Sequence, residues 1–103
     1  MAHLTGSFFT QYLDDAQLLL GTTLRDAARL PEAIEVFTQL PRLYPTSLLR
    51  DDALFELAVT HVRAGQLTLA CASVAALAAT FPRSKYLSPA RRAQACPRQG
   101  AHP

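Results

Sequence analysis

The sequence predicts an all-α fold: a right-handed superhelical array of antiparallel helix hairpins, about two and a half repeats long. Three observations predict it. Ala, Leu, Arg, Gln and Glu are plentiful, and no long β-branched run interrupts them. Apolar residues recur every three or four positions, in stretches bounded by Pro or Gly. The two halves of the chain also align without a gap at a spacing of 37 residues, a period suited to stacked helix pairs.

Each element has its own signal. Helix one is expected over about 12–29, with Asp14 and Asp15 in its first turn and Arg25 and Arg29 in its last, charges that suit the helix dipole. Its apolar stripe is Leu13, Ala16, Leu20, Leu24 and Ala27. Leu30-Pro31 opens helix two, with Pro31 as its first helical residue. Helix two presents Ala33, Ile34, Phe37, Leu40 and Tyr44 on one side and Glu32, Glu35 and Gln39 elsewhere. Pro41 is expected to loosen its last turn, and Tyr44-Pro45 ends it. Thr46 and Ser47 are N-cap candidates for helix three, over about 48–64, which Gly65 closes. Helix four covers about 67–81 and stops at Phe81-Pro82. Ser88 and Pro89 begin a short fifth helix reaching about Ala95. The chain is thus read as an N-terminal segment (1–11), a repeat domain (12–95, with repeats at about 14–47 and 51–84 and a partial one at 88–95) and a disordered tail (96–103).

The internal repeat is more than shared helicity. Leu30 pairs with Leu67, Ala33 with Ala70, Leu40 with Leu77, Pro45 with Pro82 and Ser47 with Ser84; Ala16, Ala53 and Ala90 share one register. The pattern resembles the tetratricopeptide repeat (TPR), an α-solenoid fold. That family's Leu-Gly pair appears as Leu20-Gly21 and Leu57-Ala58, its early second-helix Ala as Ala33 and Ala70, its following aromatic as Phe37 and Val74, and its closing Pro as Pro45 and Pro82. Gln17 and Leu54 stand where the family has an aromatic, and Leu24 and His61 where it has a Tyr. The Tyr-Pro-Thr-Ser and Phe-Pro-Arg-Ser junctions, each with an Ala six residues beyond the Ser, resemble the long-turn repeats of bacterial cell-envelope proteins of the YbgF/CpoB and BamD kind. The resemblance implies a non-catalytic protein–protein interaction scaffold, with a role in envelope assembly or cell division.

Composition narrows the classes further. The chain has 103 residues, 50% of them hydrophobic and 17% charged, which excludes a disordered charged tail. Its net charge of +2 conceals an asymmetry: all eight acidic residues lie between Asp14 and Glu56, while residues 57–103 carry six basic residues and no acid. Ala64 to Pro82 is uncharged, but its Gly, Gln, Ser, Thr and many Ala argue against a membrane span. The start of the chain shows no basic and apolar leader pattern, so the expected location is cytoplasmic as written, or periplasmic or envelope-associated if a signal sequence has been removed.

Under the resemblance, the first helix of each hairpin lines a concave partner groove. The matching positions are Asp15, Leu18, Leu19, Thr22 and Arg25 in helix one, and Asp52, Phe55, Glu56, Val59, Val62 and Arg63 in helix three. The Lys and Asn with which some members grip a terminal carboxylate are missing. An apolar groove with charged borders suits an amphipathic helix or an extended apolar peptide. The other reading is that Leu18, Leu19 and Phe55 pack against Phe8, Phe9 or a neighbouring chain. Helix four carries no charge, and Ala72, Ala75, Ala76 and Ala79 occupy its outer face; the fifth helix and tail cover that face, or a second subunit does, or it is a tolerant exposed surface. Self-association through helix four is therefore an expectation.

Catalytic and metal chemistry find no support. His3, His61 and His102 lack ligand spacing, and His61 is expected to be packed. Cys71 reads as a buried inert thiol and Cys96 as a reactive one in the tail. Asp14-Asp15 and Asp51-Asp52 read as helix-start charges rather than acid–base pairs. No phosphate loop or nucleophile elbow is present, so no enzyme activity, metal or cofactor is expected. The alternative function is a basic-ended adaptor that docks on anionic lipid or nucleic acid through Arg83, Lys85, Arg91, Arg92 and Arg98, although one aromatic among these bases makes nucleic acid a poor partner.

Overall fold

A computed structural model of the chain describes residues 7–89, with side chains described from Tyr12 onward. These residues form four helices and no strand: α1 (Ser7–Asp26), α2 (Leu30–Leu43), α3 (Arg50–Arg63) and α4 (Leu67–Thr80). Each packs on the next in chain order, and α1 also touches α3. This is a succession of packed helix hairpins, the predicted fold class. Residues 87–89 are helical again; the rest of the expected fifth helix and the tail lie outside the described residues.

The backbone repeats as faithfully as the sequence. The residue before α2, Arg29, has φ −92° and ψ 70°; its counterpart before α4, Gln66, has φ −106° and ψ 66°. Tyr44 and Phe81, which follow α2 and α4, have φ −130° and −131°. In each interhelix turn an amide reaches five residues back, Arg29 to the Leu24 carbonyl and Gln66 to the His61 carbonyl, both at 2.8 Å. That closure needs a left-handed residue. Gly65 supplies it with φ 75°, as its sequence position predicts, whereas the first turn uses Ala28 at φ 64°.

Three local expectations are corrected. First, α1 begins at Ser7 rather than Tyr12, so Asp14 and Asp15 lie inside it and its first turn holds no acid. Second, α1 ends at Asp26, because the left-handed Ala28 cannot continue a helix; Arg29 caps α2 and Pro31 is the second residue of α2. Third, Leu49 is the N-cap of α3, so neither Thr46 nor Ser47 takes that role. Pro41 lies late in α2, which runs to Leu43 and ends at Tyr44, as the sequence predicts.

The Ser47 hydroxyl is used elsewhere. It donates to the Asp14 carboxylate and accepts the Leu49 N–H at 3.0 Å. One period later Ser84 does the same: it donates to Asp51 Oδ2 at 2.8 Å and accepts the Tyr86 N–H at 3.1 Å. Each Asp–Ser bond ties the first helix of a hairpin to the junction leading into the next. Asp14 is only 5% exposed, and the Ser47 hydroxyl gives its buried carboxylate a hydrogen-bond partner.

Two apolar clusters fill the interior. Ala33, Phe37 and Leu57 gather Leu18, Leu24 and Ile34 around them. Ala58, Val74 and Leu77 gather Leu54, Phe55, Phe81, Tyr86 and Leu87. Gly21 faces the Phe37 ring so closely that a Cβ there would lie 2.7 Å from Phe37 Cδ1 and Cζ. In the second hairpin the counterparts are Ala58 and Val74: a larger residue on the first helix meets a smaller one on the second. The expected alanine face of α4 is there, with Ala72, Ala76 and Ala79 exposed and Ala75 half-buried. No described helix is long and apolar enough to cross a membrane.

Candidate functional site: the face shared by α1 and α3

The first helices of the two hairpins are joined directly. Arg25, near the end of α1, forms an ion pair with Glu56 of α3. The Arg25 guanidinium also stands 5.9 Å from the centre of the Phe37 ring. Its side chain is 12% exposed, so this pair is shielded from solvent more than a surface ion pair would be. Two turns further along α3, Arg63 lies 3.9 Å from the Asp26 carboxylate of α1. These contacts join α1 directly to α3, the two helices that carry the candidate residues.

The candidate residues fall into three groups. Leu18 and Phe55 pack against the interior clusters, which leaves them half-buried. Their partners are interior residues of this chain, whereas the packing reading named Phe8, Phe9 or a neighbouring chain. Thr22, Asp52, Glu56 and Val59 are also half-buried, with the Thr22 hydroxyl donating to the Leu19 carbonyl at 3.0 Å. Leu19, Val62, Arg63 and Asp15 are open to solvent, Leu19 most of all at 67%. Phe8 and Phe9 fall outside the residues whose side chains are described.

The second hairpin brings two residues to this face that sequence reasoning missed as members of it, Tyr86 and Lys85. Tyr86 stacks on Phe55 with ring centroids 4.6 Å apart and planes 15° from parallel. Its hydroxyl donates to Asp52, and Lys85 Nζ sits 5.3 Å from its ring centre. Burial pushes the Tyr86 phenol up to about 12, with the hydrogen bond to Asp52 adding to the effect. Burial likewise raises Asp52 above the usual carboxylate range; the Tyr86 bond opposes this, and neighbouring Asp51 and Glu56 reinforce it. The available signal was the period itself, which sets Tyr86 opposite Leu49.

The other singled-out residues are placed as follows. His61 is buried, with Nδ1 2.9 Å from Gln66 Oε1, as a packed residue. Arg83 and Lys85 are exposed, while Arg91, Arg92 and Arg98 lie outside the described residues. Cys71 is not the free thiol expected: it is half-buried on α4 and disulfide-bonded. Cys96 lies outside the described residues. Among the described residues no cluster of three or more His, Cys, Asp or Glu is arranged to hold a metal.

Comparison with known proteins adds one match. A family model described as Tetratricopeptide repeat matches residues 15–47 and again 52–84, the two units that the 37-residue period defines. No curated protein and no solved structure matches the chain.

Proposed function

The chain belongs to the tetratricopeptide repeat family, and we propose that it is a non-catalytic scaffold whose α1–α3 face holds a partner peptide or amphipathic helix. Repeats of this family generally mediate protein–protein interaction and are typically non-catalytic. The observation that supports the reading is the direct joining of α1 to α3 through Arg25–Glu56 and Asp26–Arg63. It presents Leu19, Thr22, Val59 and Val62 between charged borders, a pattern that favours an apolar segment with charged flanks. The long-turn junctions resemble those of envelope repeats and favour envelope assembly or cell division as the setting, with the chain cytoplasmic as written or envelope-associated if a signal sequence has been removed.

The test uses variants that leave the interior alone. Phe55 and Leu18 are unsuitable, because both pack on the core. Thr22→Arg and Val59→Arg change the proposed face, and Glu35→Arg changes the exposed side of α2. With helicity and Tm unchanged in all three, the face variants are expected to lose the partner recovered by the wild type at least tenfold, and Glu35→Arg to keep it. Equal recovery by all four proteins would overturn the reading.

A further inference from the structure

Two apolar helix faces are open to solvent, and each departs from its counterpart one repeat away. On α1, Leu13, Ala16, Leu20 and Ala27 form an exposed stripe, with Leu20 at 48%. One period on, Leu57 is 9% exposed because it packs with Ala33 and Phe37 of α2. The α1 stripe is therefore a helix-binding surface whose counterpart in the same molecule is occupied. On α4, Leu69, Ala72, Ala76 and Ala79 are exposed, and the helix carries no charge. Their counterparts on α2 are Glu32, Glu35, Gln39 and Arg42, the residues of an ordinary wet face. We propose that these two faces bind each other between copies of the chain: the outer stripe of α1 in one copy seats on the outward side of α4 in the next. This contact is separate from the α1–α3 face.

Register, size and charge name a second copy as the occupant. The helices run antiparallel across the contact, as successive helices do within the chain. With Leu20 set opposite Ala76, Ala27 falls opposite Leu69, because both helices rise about 1.5 Å per residue. Each leucine then meets an alanine. The same exchange of volume operates inside the hairpins, where Gly21 meets Phe37 and Ala58 meets Val74. This alignment also brings Asp15 within about one turn of Arg83, and both are exposed. Like faces match less well. Two α1 stripes crossing at Leu20 would set Asp15 of one copy near Asp26 of the other, acid against acid. Two α4 faces would meet mainly through alanine methyls, which bury little apolar area.

Each copy offers both faces, so the contact is heterologous. It does not close on a pair but continues into a ring or a filament.

Sedimentation and light scattering of the full chain over a range of concentrations test this. The wild type is expected to grow past the dimer as concentration rises. Leu20→Glu and Ala76→Glu each change an exposed residue. With helicity and Tm unchanged, each alone is expected to stay monomeric at least about tenfold above the wild-type midpoint. Mixed, they are expected to form a one-to-one pair that grows no further, since the first keeps only its α4 face and the second only its α1 face. A wild type that is monomeric up to roughly 1 mM would overturn the proposal. So would either variant assembling alone, the mark of like faces pairing, or a mixture that stays monomeric. Charge variants leave both apolar faces intact and carry the test if a glutamate variant loses helicity. Asp15→Arg and Arg83→Asp should each weaken association about fivefold, and the double variant should recover it. Single variants that associate like the wild type, or a double variant that recovers nothing, would overturn the antiparallel seating.

Discussion

The first and second hairpins share a backbone and differ in how they fill it. At the contact between their helices the first pairs Gly21 with Phe37, and the second pairs Ala58 with Val74. At the interhelix turn the first strains an alanine, Ala28 at φ 64°, where the second uses Gly65 at φ 75°. At the junction the first buries its carboxylate, Asp14, while Asp51 of the second stays half-exposed. At the outer edge Ala16, Leu20 and Thr23 are exposed, whereas Ala53, Leu57 and Thr60 lie under α2; the Leu pair goes from 48% to 9%. A repeat therefore specifies a geometry and a total volume at each contact, and individual residues vary as long as their partners compensate.

The largest break in that comparison is Phe37→Ala. It removes the biggest buried side chain of the first hairpin and should cost about 3–5 kcal/mol in denaturant unfolding, more than Val74→Ala costs the second. Next, Gly21→Ala drives a methyl into the Phe37 ring and should cost about 1–3 kcal/mol. Adding Phe37→Val, which installs the second hairpin's pair in the first, should recover much of that loss. A purely additive double mutant would show that the pairing carries no compensation. Third, Ser47→Ala strips the buried Asp14 of its partner and should cost about 2 kcal/mol, whereas Ser84→Ala, whose Asp51 rehydrates, should cost about 1 kcal/mol. Fourth, Ala28→Gly should stabilise and Gly65→Ala destabilise, each by about 1 kcal/mol, because only the left-handed strain changes.

The smallest effect concerns pH and separates the two junctions, where Tyr86 stands opposite Leu49. The folded-state phenol is raised to about 12, above its usual value of 10. Between these values the unfolded chain releases the proton and the folded chain keeps it. The Tyr86 contribution is therefore complete below pH 10 and lost as pH rises through about 12. Tyr86→Phe should flatten the alkaline fall in Tm, and an unchanged slope would assign that fall to other groups.

Much of this was legible in the sequence because the signals were local or periodic. Pro45, Pro82 and Gly65 mark their boundaries by backbone chemistry that holds in any context. Ala33 and Ala70 mark the same fully buried position in the two hairpins. The Asp–Ser bonds were hidden for a different reason. Asp14 lies near a plausible helix start, so a local explanation from the helix dipole was ready, and nothing local points to a serine 33 residues away. Ala28 was hidden because alanine carries no left-handed signal; only its register with Gly65 reveals the strain. Of the candidate face, Arg25, Glu56 and Arg63 were named because the tetratricopeptide resemblance implies that first helices line the groove. Their cross-helix pairing, and Tyr86 with its Asp52 bond, required the spatial arrangement of the two hairpins.

The two Asp–Ser bonds also bear on how fast the molecule forms. Each spans 33 residues, and helices pack only on the next in the chain, apart from the contact of α1 with α3. No described contact requires the chain to close a loop much longer than one repeat, and loop-closure entropy rises only logarithmically with length. Folding can therefore begin in either hairpin and spread to its neighbour, at the rates of low-contact-order helical proteins. Lengthening such a chain by further hairpins would add stability without lengthening the search.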